Sequence, residues 1–150
     1  MEVPMKIKTL LMEGKFTYFC TADAVLMPHV TPMFFVYDMR SNKIFLMSTR
    51  RSKKVEILRS NNFVSLTVDV RNPVNPFLNY GTTVQGTART LDIRKYPQVV
   101  EMFVRKYPKF VKSVRLGGEL LRTYQDVLIE VTPDLMVYWR GAHFTRWKAV

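Results

Sequence analysis

The stretch Lys43-Ile-Phe-Leu-Met-Ser-Thr-Arg-Arg-Ser-Lys-Lys-Val-Glu-Ile-Leu-Arg-Ser-Asn-Asn-Phe-Val-Ser-Leu66 reads as a strand, a turn dense in cations and hydroxyls, a short helix and a second strand. Ser52 stands where a helix N-cap belongs, with Val55, Ile57 and Leu58 available for burial and Asn61-Asn62 as the stop. In the turn, Ser48, Thr49 and Ser52 offer hydroxyls while Arg50, Arg51, Lys53 and Lys54 offer positive charge. Cations beside the unpaired N–H groups of a helix start make a phosphate cradle. The same residues also suit a solvated basic turn, and there is no glycine-rich phosphate loop.

Upstream, Met5, Ile7, Leu10, Leu11 and Met12 recur at helical spacing, and Gly14 is a natural stop. Residues 16–21 are expected as a strand, 22–28 as a connection and 29–38 as the next strand, with 39–42 turning a hairpin into 43–49. Downstream, two prolines make 71–77 a loop, and 82–91 resumes as a strand. Gly86 in its middle marks a bulge or a close backbone approach. Residues 93–106 carry Val99, Val100, Phe103 and Val104 on a helix with Pro97 in its first turn, and a further helical piece is expected over 110–121. Two closing strands, 126–132 and 135–141, are joined by Pro133-Asp134. About seven strands with two or three helices predict a mainly β chain with flanking helices, closed as an antiparallel barrel in a single domain over 1–150.

Composition bounds the function. A length of 150 residues, 47% hydrophobic and 23% charged, suits one soluble domain with a sizeable core. No apolar run approaches the ~20 residues that cross a bilayer. The first eight residues do not form a signal peptide, so the expected location is cytoplasmic. Cys20 has no partner for an internal disulfide and is expected to be a buried, inert thiol. A net charge of +11 attracts nucleic acid non-specifically at low salt, but no zinc-finger spacing, RNA-binding aromatic motif or helix-turn-helix accompanies it. His29, His143 and the scattered acids give neither metal-ligand spacing nor a paired-carboxylate constellation, so no metal is expected.

The segments His29-Val-Thr-Pro-Met-Phe-Phe-Val-Tyr37, Ile44-Phe-Leu-Met-Ser-Thr49, Ser52-Lys-Lys54, Asn61-Asn-Phe-Val-Ser-Leu66, Gly86-Thr-Ala88, Lys106-Tyr-Pro108 and Val137-Tyr-Trp139 follow one another in a characteristic order. In that order and spacing, across nearly the whole chain, they resemble the FMN-binding split-barrel family that includes pyridoxamine 5′-phosphate oxidase. The resemblance implies a split β-barrel, a homodimer with FMN at the subunit interface, and flavin-dependent oxidoreduction of a small molecule. It implies Lys53 and Lys54 as the basic pair on the flavin phosphate, and Met47, Ser48 and Thr49 as the strand end against the cofactor. It further implies Pro32, Met33 and Phe34 along the isoalloxazine ring, Trp139 as a pocket aromatic and Arg146 as a basic substrate contact. No catalytic side chain is implied, since the redox chemistry belongs to the ring.

Two departures bear on the substrate. Gly81 stands where the oxidase has a flavin-contacting glutamine, and Arg146-Trp-Lys148 abbreviates that enzyme's basic ending. Pyridoxamine phosphate is therefore not the expected substrate. Related small split barrels use a deazaflavin as co-substrate, or heme, and the cationic turn alone does not choose among these. From a different class comes a non-catalytic basic module that binds nucleic acid or an anionic partner.

Overall fold

In the computed structural model, residues 1–109 and 125–150 are described. Helix α1 (Met5–Glu13) precedes strands β1 (Thr17–Ala22), β2 (Pro28–Met33), β3 (Phe35–Asp38) and β4 (Lys43–Ser48), then α2 (Lys53–Leu58) and β5 (Phe63–Val70). The long strand β6 (Tyr80–Asp92), helix α3 (Pro97–Lys106), a second long strand β7 (Val127–Arg140) and β8 (His143–Lys148) complete it. All pairings are antiparallel, in the order β2-β1-β5-β6-β7-β4-β3, with β8 added on β7. The two ends of that path, β2 and β3, are consecutive in the chain with Phe34 alone between them, so the sheet curls round into a barrel. One edge of β7 is divided: Val127–Val131 pairs with β4, whereas Leu135–Arg140 pairs with β8. That division is the split of a split barrel, as the resemblance implied.

Burial follows the strand period. On β4, Ile44 and Leu46 point into the barrel with Phe19, Phe35, Leu66, Ile129 and Met136, and α1 adds Ile7 and Leu11 to the same core. The opposite face of β4, Phe45 and Met47, packs with Val36 and Leu128 beneath Val99 and Phe103 of α3. With both faces covered, Ile44–Ser48 reads as an uninterrupted buried run rather than an alternating one. Ser48 ends that run at the mouth of the barrel, beside Ser52, whose hydroxyl caps α2 by accepting the Val55 N–H at 3.4 Å.

The fold departs from expectation in five places. The strand expected over 29–38 is interrupted at Phe34, where the Tyr107 hydroxyl accepts the Phe35 N–H at 3.1 Å and lies 2.8 Å from its carbonyl. The helix expected over 93–106 is a 3-10 turn, Ile93–Lys95, followed by α3. Asp92 caps the first and Pro97 starts the second. The two closing strands are one, because Asp134 is an extra residue bulged out between the pairs Gln85↔Leu135 and Gly86↔Pro133. Strand β8 went unpredicted, although Gly141, at φ +54°, makes the two-residue turn that sets Arg140 opposite His143. Cys20 is half-buried on β1, not enclosed. The helical piece expected over 110–121 lies outside the described residues.

Candidate functional site

A cleft of about 300 Å³ opens where β2, β4, the turn after β4, α2 and α3 meet. Its apolar side is Pro32, Met33, Phe34, Met47 and Phe103, and its polar side is Thr31, Ser48, Thr49, Ser52, Lys54, Tyr107 and Gln125. That volume lies at the small end of the range for ligand sites, and apolar walls with a few convergent polar groups are their usual chemistry.

The polar corner is braced from the far end of the chain. Asp126, just before β7, donates its N–H to the Ser48 carbonyl at 3.1 Å. Its carboxylate accepts the Arg50 N–H at 2.9 Å and pairs with Arg50 Nε at 3.2 Å. The Ser48 and Ser52 hydroxyls are 2.9 Å apart, and the Ser52 N–H donates to the Thr49 carbonyl at 3.0 Å. Arg50 is thereby spent on Asp126. Lys53 points to solvent, with Nζ 3.8 Å from Glu56, and does not line the cleft. Lys54 does line it, and burial pushes the pKa of its ammonium down. A half-buried cation with that cost is one an anion would relieve.

On the apolar side, Phe34 is wedged between aromatic rings, 5.1 Å from Phe16 and 4.9 Å from Tyr107 by centroids. Tyr107 fixes the break before β3, and burial raises its pKa, so its hydroxyl stays protonated. Gln125 also lines the cleft, and its Oε1 is buried with no hydrogen-bond partner among the described residues. An orphaned acceptor of this kind suits a ligand with an N–H edge.

Of the residues expected at a cofactor site, Pro32, Met33, Phe34, Met47, Ser48, Thr49 and Lys54 share this cleft. Lys53, Trp139 and Arg146 do not. Arg146 is exposed on β8, paired in register with Val137. Trp139 lies across Gly81, where a Cβ would come within 2.6 Å of the indole carbons Cζ2 and Cη2. The glycine therefore leaves room for the indole, and a glutamine at 81 is incompatible with this placement. Gly81→Gln is expected to displace the indole and cost ~1–3 kcal/mol, read as a shift in tryptophan emission with a lowered urea midpoint. An unmoved emission maximum would show that the two residues do not compete.

Phe103, Tyr107 and Gln125 were not foreseen as lining residues. The period of α3 marks Phe103 as buried, but nothing local says against what, and Gln125 belongs to no motif.

A family model described as pyridoxamine 5′-phosphate oxidase matches residues 3–139. No curated protein matches the chain. Among solved structures, a protein from Clostridium acetobutylicum related to general stress protein 26 is 20% identical over 96% of this chain and 92% of its own, with a TM-score of 0.67. General Stress Protein 26 from Bacillus anthracis is 18% identical over 95% of this chain and 97% of its own, with a TM-score of 0.64. HutZ, a heme storage protein from Vibrio cholerae, is 17% identical over 97% and 94%, with a TM-score of 0.65. At these identities the likeness is one of fold.

Proposed function

We propose, because this chain belongs to the pyridoxamine 5′-phosphate oxidase family, that its cleft holds FMN and that the protein is a homodimeric flavin oxidoreductase acting on a small molecule. The observation that carries the reading is the two-ended chemistry of the cleft, with a hydroxyl-and-lysine corner at one end and an apolar strand end at the other. Lys54, with Ser48, Thr49 and Ser52, would hold the phosphate. Pro32, Met33, Phe34 and Met47 would flank the ring and keep water from that side. FMN supplies hydride chemistry when bound, so the chain need only orient it and shape the substrate's approach. Lys53, at the outer rim, adds long-range attraction rather than a contact.

The sheet's outward face supports the dimer. Tyr18, Val30 and Phe63 are exposed there; the register runs from Tyr18 through Thr67 and Thr83 to Val137 and Arg146, and Trp139 lies two residues along β7 from Val137 on the same face. A second copy seated on this face would cover the apolar side chains and could bring its own Trp139 and Arg146 towards the first copy's cleft.

The test is the absorption spectrum of the purified protein, with mass identification of whatever is released on denaturation and the solution mass by light scattering. Flavin bands, released FMN and a dimer are expected. A colourless monomer that takes up no FMN on titration would overturn the reading. A heme spectrum would place the protein with heme carriers instead, and tight salt-resistant binding of RNA or DNA would favour a basic binding module.

A further inference from the structure

A second cavity, of about 380 Å³, lies between the C-terminal ends of α1 and α3 above β3, and it shares no lining residue with the cleft. Met12, Val36 and Met102 give it an apolar wall, while Lys15, Arg105 and Lys106 bring three cations to its rim, and among the described residues no carboxylate lines it. Arg105 is answered on the surface by Glu101, 2.7 Å away. Lys15 Nζ reaches the carbonyl of Lys106 at 3.4 Å, and Lys106 Nζ reaches the carbonyl of Leu11 at 3.4 Å. Among the described residues neither lysine meets an acid. The remaining titratable group, Tyr37, is held by burial, with Asp38 adding to it, at a pKa of about 12. It is a neutral phenol donating to Asn42 Oδ1 at 2.9 Å.

Lys15 thus caps the end of α3 and Lys106 the last turn of α1, a structural role that accounts for the hydrogen bonds. It leaves over the open cavity and the unbalanced charge around it. Lys106 Nζ also stands over the Phe35 ring at 3.8 Å from its centroid. Burial, with Lys15 beside it, brings the Lys106 pKa from 10.5 to about 7, while the Phe35 ring face favours the charged form. Burial thus favours the free amine at a lower pH than the one at which an ordinary lysine sheds its proton.

We propose that this cavity is a second ligand site, taking a small carbonyl compound that carries a carboxylate and holding it as an imine on Lys106. The amine lone pair attacks the carbonyl carbon as the π pair moves to oxygen. Proton transfer from nitrogen to that oxygen gives the carbinolamine, and loss of water leaves the C=N bond. The step needs no oxidant or reductant. Lys15 and Arg105 pair with the carboxylate, and Met12 and Met102 cover the carbon chain. The inference does not rest on FMN binding.

The same desolvation has a consequence for stability. Between about pH 7 and 10.5 the unfolded chain holds a proton on Lys106 that the folded chain has shed, so stability rises with pH across that window. Lys106→Met is expected to flatten this rise and to raise Tm at pH 7. Thermal melts between pH 7 and 10 check it, and an unchanged slope would show that Lys106 titrates normally.

The proposal is tested by incubating the purified protein with glyoxylate and cyanoborohydride, which reduces an imine to a stable secondary amine, followed by peptide mass mapping. At pH 7, Lys106 is expected to be labelled about tenfold or more faster than the surface lysines. Its labelling rate should be half-maximal near the pKa of about 7. Arg105→Met should slow labelling by glyoxylate and leave labelling by propanal unchanged. Uniform labelling of all lysines, or a Lys106 rate that climbs to half-maximum only near pH 10.5, would overturn the proposal without touching the flavin reading. Both measurements use the unmodified chain, so they stand even if variants at Lys106 fold poorly.

Discussion

Lys54→Ala is expected to lower the affinity for FMN roughly tenfold to a hundredfold, the worth of one lost charge-assisted contact to a phosphate. Lys53→Ala is expected to lower it by less than about threefold, as suits a solvent-screened charge. The difference arises within one turn of α2. Lys54 lines the cleft at a cost in desolvation, whereas Lys53 stands outside it near Glu56. Flavin fluorescence titration of both variants, at two salt concentrations, makes the comparison. The Lys53→Ala loss should vanish at high salt, and most of the Lys54→Ala loss should persist. Equal losses would mean that the phosphate sits further out than the Ser48–Ser52 corner. No loss in either variant would remove the phosphate from this corner altogether.

Gly86→Val is expected to cost about 3 kcal/mol or more of stability and to lower Tm by about 10 °C. At this bulge a Cβ would lie 2.9 Å from the Thr132 carbonyl carbon and 3.0 Å from Pro133 Cα, and closer still to the Thr132 oxygen. Every one of these neighbours is backbone in the paired strand β7, so relief requires moving the strand. The first residues of β7 also carry the pairing with β4, next to Asp126 and the corner it braces. Flavin binding should therefore weaken in the variant even where it remains folded. Denaturation by urea and by heat measures the first effect, and FMN titration of the folded fraction the second. A variant that unfolds at the wild-type midpoint would show that the bulge can relax.

Much of the site was open to sequence reading because its signals are local. The Ser52 cap, the hydroxyls of Ser48 and Thr49 and the buried run into Met47 lie within ten residues of one another, and they fold where their spacing says. The break at Phe34 carried no such signal, because the group that satisfies the Phe35 N–H is a tyrosine hydroxyl 72 residues away. The closing strand runs unbroken through Pro133 for a related reason. Pro133 ends a strand by its own chemistry, yet here it is tolerated opposite a glycine at a bulge.

From the chain alone came the strands and helices whose hydrophobic period repeats every two or every 3.6 residues, the cationic corner between β4 and α2, and a resemblance strong enough to name a family. Tertiary structure alone decided that Lys54 rather than Lys53 faces the cleft, and that Asp126 rather than a ligand takes Arg50. It also left the Gln125 carbonyl oxygen buried without a partner among the described residues and set Lys106 against Phe35 and Lys15. Period and capping act between neighbours and are written in the order of residues. Burial and charge pairing depend on what the rest of the chain brings alongside, and residue order does not carry that until the barrel has closed.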